Sequence, residues 1–409
     1  MQLSIVIKRI LNRLGFFLVN GLVATLMCCI SPFSPEINEQ TNLLSVDGSL
    51  VKGREIQTIC ISKASSISQP EFIPVEKCVV KVADGTGNTV DFQEISSGIY
   101  TAKTDEAFLT FNSQYKLILN TPDGNAYESE FQTLLETPPV DSFYCLTENH
   151  YSASTNAETS EGLQFYVDID APADASRFYR WTLEETWEIH AQYKISGYYD
   201  GENVHFFPVV SDSLFVCWKT TDVTGLYVSS TSPLIQNKKK KIPLFFVDSG
   251  SKKLWIRYCA TISQYALNDD AHEYWQQKSS ELYESGNIYA GQPSQSISNI
   301  HNINNPDQPV LGFFWVASVS LNHLFLKDPF HKYKEPICSE FNIALWYAEN
   351  EEQRDSLLCR FFKVNSSYLP VPPFYFYENQ FGIFGTTLEK KCMDCTAGGG
   401  TNQKPGFWE

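Results

Sequence analysis

Short runs of alternating apolar and polar residues, separated by turns that combine glycine with asparagine or aspartate, dominate the first third of the chain. Residues 84–88 (Asp-Gly-Thr-Gly-Asn) and 122–125 (Pro-Asp-Gly-Asn) have the composition that tight hairpin turns require. Short strands in regular succession with such turns predict a β-sandwich over residues 43–137. The β-type runs in this region are residues 44–50, 57–62, 78–83, 98–102, 115–120 and 126–132.

A rigid break follows at residues 137–141, which read Thr-Pro-Pro-Val-Asp. Each proline restricts the residue before it to extended conformations, so we place a domain boundary there. Further β-type runs lie beyond it, and the longest spans residues 178–193. They predict a larger β-rich domain over residues 138–391, followed by a Cys/Gly-rich C-terminal tail over residues 392–409.

Two segments of the larger domain have helical rather than β spacing. Asn268 can cap a helix whose first turn carries Asp269 and Asp270, and Gly286 can end it. A second, weaker pattern covers residues 349–360. The predicted fold class is therefore mainly β: an N-terminal β-sandwich, similar to Ig-like or carboxypeptidase-regulatory-like modules, and then a β-rich domain with a helical insertion.

The amino terminus has the pattern of an export signal. Three cations, Lys8, Arg9 and Arg13, precede an apolar run over residues 14–27 that is too short to favour a membrane-spanning helix. The run ends in Leu-Met-Cys-Cys, which resembles a lipobox, and Cys29 fits the cleavage position better than Cys28. We expect residues 1–28 to be a lipoprotein signal peptide, Cys29 to be lipidated and residues 29–42 to form a tether. An ordinary secreted protein, or an uncleaved anchor, is the alternative.

Export with removal of the signal peptide would change both the number of cysteines and the net charge of the mature chain. Of the 11 cysteines, Cys28 would leave with the signal peptide and Cys29 would carry lipid, so an odd number remains and at least one thiol is unpaired. The net charge of −16 becomes more negative once the signal peptide is removed. Such an acidic chain disfavours nucleic acid and anionic lipid headgroups as partners.

Segments along nearly the whole mature chain resemble domain-of-unknown-function family 4249, lipoproteins of Bacteroidota. The resemblance rests on CISPFSPEI after the lipid cysteine, LSVDGSL, FYRWTLEETWEIH, ESGNIY, NPDQPVLGFFWVAS and the tail CMDCTAGGGTNQKPGFW. It implies a periplasm-facing or surface lipoprotein, often encoded near TonB-dependent transporters, without an established enzyme activity. By that association, a lid or accessory subunit on a SusC-like β-barrel is the leading expectation.

The Cys392-Met393-Asp394-Cys395 motif is the sharpest local pattern after the lipobox. Zinc would need four ligands, and no second close Cys or His pair follows; a thioredoxin-type motif would need a βαβ setting. We therefore expect structural disulfides that hold the tail. Cys338 and Cys359 are plausible partners, and the pairing stays open.

No catalytic motif is present in the sequence, and the seven histidines are scattered. Glu184, Glu185 and Glu188 could act as paired acids, but their alternation on a strand favours a solvated or ion-paired face, and His190 is more simply a structural histidine. We expect no enzyme activity and no cofactor. A carbohydrate-binding or hydrolytic surface lipoprotein is one alternative, and an accessory subunit of outer-membrane assembly or secretion machinery is another.

Two aromatic groups are candidate partner contacts. In a strand, Phe313 and Trp315 point one way and Phe314 the other, so at least one face could meet a partner. Phe407 and Trp408 are expected to dock the terminus onto the body, with partner contact as the alternative. The basic run at residues 238–241 is expected to be an exposed loop, either a solvated hairpin tip or a contact for phosphate-bearing lipid.

Overall fold

The structure is a computed structural model, and it describes residues 42–65, 70–151, 159–208, 212–284, 298–334, 338–343, 345, 348–366, 373–379 and 381–408. The predicted signal peptide, the lipidation site Cys29 and nearly all of the tether lie outside these residues. By its contacts the chain divides into one unit made of Met1–Thr41 and Ser65–Glu71, and a second made of Asn42–Ala64 and Phe72–Glu409. Every element named below belongs to the second unit.

The described residues are mainly β, as the sequence predicts. Before the Pro138-Pro139 break, strands alternate with tight turns such as the one after Asp84, whose carboxylate accepts the backbone N–H of Thr86 at 2.9 Å. The strands are β1 (Leu44–Lys52), β2 (Ile56–Lys63), β3 (Ile73–Pro74), β4 (Val79–Asp84), β5 (Thr89–Ser96), β6 (Ile99–Lys103), β7 (Gln114–Asn120), β8 (Ala126–Ser129) and β9 (Gln132–Thr133).

Longer strands follow the break, with two α-helices among them. The strands are β10 (Ser142–Tyr151), β11 (Thr159–Asp170), β12 (Phe178–His190), β13 (Gly197–Tyr199), β14 (Val204–Phe206), β15 (Val216–Asp222), β16 (Tyr227–Ser230), β17 (Lys238–Asp248), β18 (Arg257–Leu267), β19 (Ile300–Asn302), β20 (Leu311–Lys327), β21 (Glu340–Ile343), β22 (Phe374–Glu378) and β23 (Phe384–Thr387). The helices are α1 (Asp269–Glu284) and α2 (Glu351–Asn365).

The N-terminal sandwich is present, and its core includes Val46, Ile59, Tyr100 and Leu117. It is not completed by residues 43–137 alone. β19 pairs with β8, and the first half of β20 runs parallel to β1 with Gly312 opposite Val46. The predicted boundary at residues 137–141 thus lies inside one compact unit.

β20 is the strand that joins the two halves. Its N-terminal half pairs with β1 and its C-terminal half pairs antiparallel with β18, from Val319 opposite Tyr265 to Lys327 opposite Arg257. One face of the β12-β18 pair packs against the three-stranded sheet β10-β11-β17. The other face is covered by α1.

Both predicted helices are present. The Asn268 side chain accepts the backbone N–H of Ala271 at 2.9 Å and so caps α1. The predicted end of this helix at Gly286 lies outside the described residues. Asn350 caps α2 in the same way through the N–H of Gln353, at 2.9 Å, and the helix continues to Asn365, beyond the predicted end at residue 360.

The basic run at residues 238–241 does not form a loop, as the sequence suggested, but begins strand β17. Three of its ammonium groups lie beside carboxylates: Lys238 contacts Asp170, Lys240 lies 2.6 Å from Asp141 and Lys241 lies 3.4 Å from Glu148. Most of the positive charge is therefore compensated locally, which helps to explain why four lysines are tolerated side by side. Among the described residues, no helix has the length and apolarity to cross a membrane.

Candidate functional site

The aromatic run of β20 does not form a partner contact. Phe313, Phe314 and Trp315 are 1%, 0% and 4% exposed. Phe314 points into the sandwich core, while Phe313 and Trp315 lie beneath α1, where the Tyr274 ring stacks on Phe313 at a centroid distance of 4.8 Å. The prediction was wrong because both faces of the strand are covered, one by the sandwich and one by a helix that is distant in sequence.

The C-terminal aromatics dock the terminus onto the body. Trp408 is 5% exposed and packs edge-on against Phe325, with 5.4 Å between ring centroids. The Phe407 ring stacks on the His323 imidazole at 4.7 Å. Docking of the tail is therefore the role that this geometry gives them, and Trp408 is not available as a partner contact.

Two disulfides hold the C-terminal region. Cys338, just before β21, is bonded to Cys392, and Cys395 is bonded to Cys217 on β15. Cys359, a suggested partner, is a free thiol on α2. The pairing of Cys217 could not be predicted, because 178 residues separate it from Cys395 and nothing in its local sequence marks it as paired.

Residues 390–408 with their two disulfides form what we call the C-terminal clasp. Backbone hydrogen bonds also attach the clasp to the body. The carbonyl oxygen of Cys392 accepts the N–H groups of Gln192 and Tyr193 at 2.9 and 3.0 Å. Thr401 and Trp218 exchange a pair of hydrogen bonds, each 2.8 Å long, at the edge strand β15. The clasp thus covers a sheet edge and fixes the segment before β21 to the body.

The clasp supports a small sheet with the strand order β14-β13-β22-β23-β21. Helix α2 packs on it through Leu358 and Phe362, which are fully buried against Phe374 and Phe376. β22 and β23 are joined by a hairpin whose tip contains Phe381, Gly382 and Ile383, hereafter the apolar tip. This hairpin projects two apolar side chains into solvent, and Phe341 of β21, 42% exposed, is another exposed apolar residue of the small sheet.

The apolar tip has a fixed backbone. The Asn379 side chain accepts the N–H groups of Phe381 at 2.9 Å and Ile383 at 3.0 Å, and Gly382 adopts a left-handed φ of 73°. Phe381 is nevertheless 77% exposed and Ile383 45% exposed. A large, exposed aromatic side chain on a hydrogen-bonded turn has the character of an interface anchor, because little backbone entropy is lost when it is buried.

Isolated exposed apolar residues are common on protein surfaces and need no functional explanation. Ile235, which is fully exposed, and Leu234 beside it, which is 42% exposed, are two such residues. The apolar tip differs because one of its exposed side chains is a phenylalanine, and aromatic residues, unlike leucine, are enriched at interface anchors. An Asn-Gln-Phe-Gly-Ile turn between two aromatic strands is visible in the sequence and could have been recognised there.

The three candidate acids of β12 do not converge. Glu185 is 5% exposed and accepts hydrogen bonds from the Tyr258 hydroxyl at 2.8 Å and the Lys253 ammonium at 2.5 Å. Glu184 points to the opposite face, and Glu188 pairs with His190 at 2.5 Å. Nowhere in the described part of the chain do three His, Cys, Asp or Glu side chains gather closely enough to hold a metal ion.

One family comparison identifies related proteins. Residues 30–322 match the family described as Domain of unknown function (DUF4249), and this range covers more than half of the chain. The match ends within β20, so the clasp and the apolar tip lie beyond it. No curated protein is detectably similar to the chain in sequence.

Proposed function

The chain belongs to the DUF4249 family of domains of unknown function, and on that premise we propose that it is an outer-membrane lipoprotein and a non-catalytic binding or lid subunit of a transporter complex. Its partner in this proposal is a β-barrel membrane protein of the SusC-like, TonB-dependent kind. The protein is anchored through lipid on Cys29 and exposed at the cell surface. The observation that carries the proposal is the rigid apolar tip on a disulfide-clasped sheet.

The anchor has a simple physical role in this proposal. A lipid on Cys29 confines the protein to the plane of the membrane, which raises its effective concentration beside a membrane partner. Residues 29–42, if extended, would reach about 45 Å at roughly 3.3 Å per residue. That reach leaves the folded body free to orient on its partner.

The negative charge of the chain favours a protein rather than lipid headgroups as the binding partner of the apolar tip. A net charge of −16 repels an anionic membrane surface. Phe381 can still bury its ring in a partner pocket, and such aromatic anchors commonly contribute 2 kcal/mol or more, roughly, to a protein interface.

Two other roles stay as alternatives. An accessory subunit of outer-membrane assembly or secretion machinery would use the same anchor and differ in the barrel that it contacts. A hydrolytic or carbohydrate-binding role finds less support, because Glu185 is engaged with Lys253 and Tyr258 while Glu184 lies on the other face. Our proposal therefore assigns no chemical step to the chain.

Co-purification in mild detergent tests the proposal. We expect the native, acylated protein to retain a large β-barrel protein, and the Phe381→Ser/Ile383→Ser double variant to lose at least nine tenths of it. Ile235→Ser, which removes an exposed apolar residue elsewhere, is the matched control and should retain the barrel. Recovery of the wild-type lipoprotein alone, or equal recovery with the double variant, would contradict the proposal, as would an intact mass without acyl chains.

A further inference from the structure

Two arginines lie near the ring of Tyr265, and neither forms an ion pair with a carboxylate of the described residues. Arg180 of β12 lies directly opposite Tyr265 of β18, and Arg54 follows β1 in the chain. Together with Trp275 of α1 and Asp47 of β1, these side chains form what we call the arginine recess. It is separate from the apolar tip and from the clasp.

The Arg180 guanidinium is held by aromatic rings rather than by ion pairs. Its Cζ lies 3.9 Å from the centroid of the Trp275 ring and 5.1 Å from that of Trp315. Burial lowers the pKa of Arg180 to about 10, with Tyr265 and Asp47 opposing the shift. Aromatic rings stabilise a cation through its faces, but they leave the N–H donors at its edge unused.

Two donors in the recess lack acceptors. Arg180 Nε and Trp275 Nε1 are buried, and neither has a hydrogen-bond partner among the described residues. An unpaired buried donor costs about 1–3 kcal/mol, so native proteins seldom keep two side by side unless something else supplies the acceptor. Arg180 as a whole keeps part of its surface accessible, and Arg54 is exposed, so the recess borders solvent.

Arg54 adds a second cation at the rim of the recess. The Arg54 guanidinium donates a hydrogen bond to the Tyr265 hydroxyl. The Cζ atom of Arg54 lies 5.4 Å from the centroid of the Tyr265 ring, and the Cζ atom of Arg180 lies 5.8 Å from it. No ion pair in the described residues involves either guanidinium. Two like charges therefore lie near the same tyrosine ring, and this arrangement favours an anion close to both.

Asp47 is the carboxylate that acts on Arg180, and it is too far away to form an ion pair with it. Burial raises the pKa of Asp47, and the Arg180 charge opposes that shift. Asp47 still retains solvent-exposed surface, which means that the recess is open to water. With Asp47 ionised, two guanidiniums and one carboxylate leave one net positive charge, which matches a monoanion.

We propose that the arginine recess binds a carboxylate carried on an apolar group, either a free organic acid or the C-terminus of a peptide. The carboxylate oxygens accept from the Arg54 and Arg180 guanidiniums, which suit planar, bidentate recognition. The apolar part lies against the Trp275 and Tyr274 rings, both of which are partly exposed on α1. Trp275 Nε1 gains an acceptor when the carboxylate is bound.

Titration of the complete mature protein, followed by tryptophan fluorescence and calorimetry, tests the site. The probes are benzoate, its neutral analogue benzamide, inorganic phosphate, and a Leu-Phe dipeptide with either a free or an amidated C-terminus. We expect saturable binding of benzoate or of the free dipeptide. The neutral analogue of the ligand that binds should bind at least tenfold more weakly, and so should phosphate. A tenfold difference in affinity corresponds to about 1.4 kcal/mol. Preference between benzoate and the dipeptide distinguishes a free acid from a peptide terminus.

The variants separate a binding role from a structural one. Arg54 is exposed, so Arg54→Gln should fold normally and weaken carboxylate binding at least tenfold. Arg354→Gln is the matched control, because Arg354 also stacks on an aromatic ring, Phe206 at 4.1 Å, but is already paired with Asp355 at 3.0 Å. The proposal is overturned if no carboxylate binds, if the neutral analogue or phosphate binds as tightly, or if Arg54→Gln binds as the wild type does.

Discussion

At the scale of single residues, Gly312 explains the Gly-Phe-Phe run at the start of β20. Its φ of 92° is left-handed, and a Cβ atom built there would lie 2.0 Å from the carbonyl oxygen of Val46. The close approach arises because β20 enters the sheet here, parallel to β1 and directly opposite Val46. A side chain at this position would therefore disturb the contact that joins the two halves of the molecule.

We predict that Gly312→Ala lowers the free energy of unfolding by about 4 kcal/mol or more, which is the range of exceptional point mutations. Gly87 is a matched control, because its φ is 95° but a Cβ atom added there would have no neighbour within 4 Å. Gly87→Ala should cost only the left-handed backbone strain, about 1–2 kcal/mol. Urea denaturation measures both, and equal losses would show that the Val46 contact does not matter.

His272 makes stability depend on pH. Its imidazole lies 4.5 Å from the Phe178 ring, and its Nε2 is buried with no hydrogen-bond partner among the described residues. Burial lowers the pKa of His272 below its ordinary value of about 6.5, against the opposing charges of Asp269 and Glu273. The folded state therefore favours the neutral ring.

The sign of the effect follows from linkage. The stability that neutral His272 contributes is present above the unfolded-state pKa of about 6.5 and is lost as the pH falls through the lowered folded-state pKa. We predict that the free energy of unfolding decreases from pH 7 to pH 5 and that His272→Gln makes this decrease shallower. His331→Gln, at a side chain that is 91% exposed, should leave the slope unchanged. Identical slopes for wild type and His272→Gln would contradict the assignment.

Sequence patterns were least informative about individual side chains. Arg180 alternates with buried residues on β12, as an exposed side chain would, yet the Trp275 ring of α1 lies against its guanidinium. Phe314 was considered as a surface contact, yet it is in the sandwich core. In both cases the covering element is distant in sequence, and local alternation carries no information about it.

At the scale of elements, sequence patterns were informative. The hairpins of the sandwich, strand β12 and both helices lie where periodicity and caps predicted them, because local chemistry determines these features. The parallel pairing of β1 with β20 could not be predicted, since it depends on contacts about 265 residues apart. The lysines of β17 could not be recognised as part of a strand, because the acids that compensate three of them are distant in sequence.

The Cys217–Cys395 disulfide should be the main stabiliser of the clasp. It joins residues 178 positions apart, and the removal of a native disulfide typically costs about 2–5 kcal/mol. We predict that the Cys217→Ser/Cys395→Ser double variant has a free energy of unfolding lower by about 2–5 kcal/mol, measured by denaturant unfolding. Cys359→Ser, at a free thiol, should change the free energy of unfolding by less than about 1 kcal/mol. If the double variant has the same free energy of unfolding as the wild type, the disulfide does not stabilise the clasp.

At the scale of the whole molecule, strand β20 joins the two halves of the unit made of Asn42–Ala64 and Phe72–Glu409. The C-terminus is docked and disulfide-bonded, whereas the N-terminus is where we propose the lipid anchor. Composition and the export signal suggested the compartment, and the disulfides are compatible with it. The turn that carries the proposed partner surface is visible in the sequence, but the exposure of Phe381 and Ile383 depends on the fold and could not be predicted.

Site-specific photocross-linking in intact outer membranes tests the central claim most directly. A photoreactive amino acid at position 381 of the acylated, full-length protein places the probe on the apolar tip, and the same probe at position 235 is the control. We predict that position 381 gives one dominant adduct with a β-barrel membrane protein and that position 235 gives none. The absence of a barrel adduct from position 381, or equal adducts from both positions, would contradict the account.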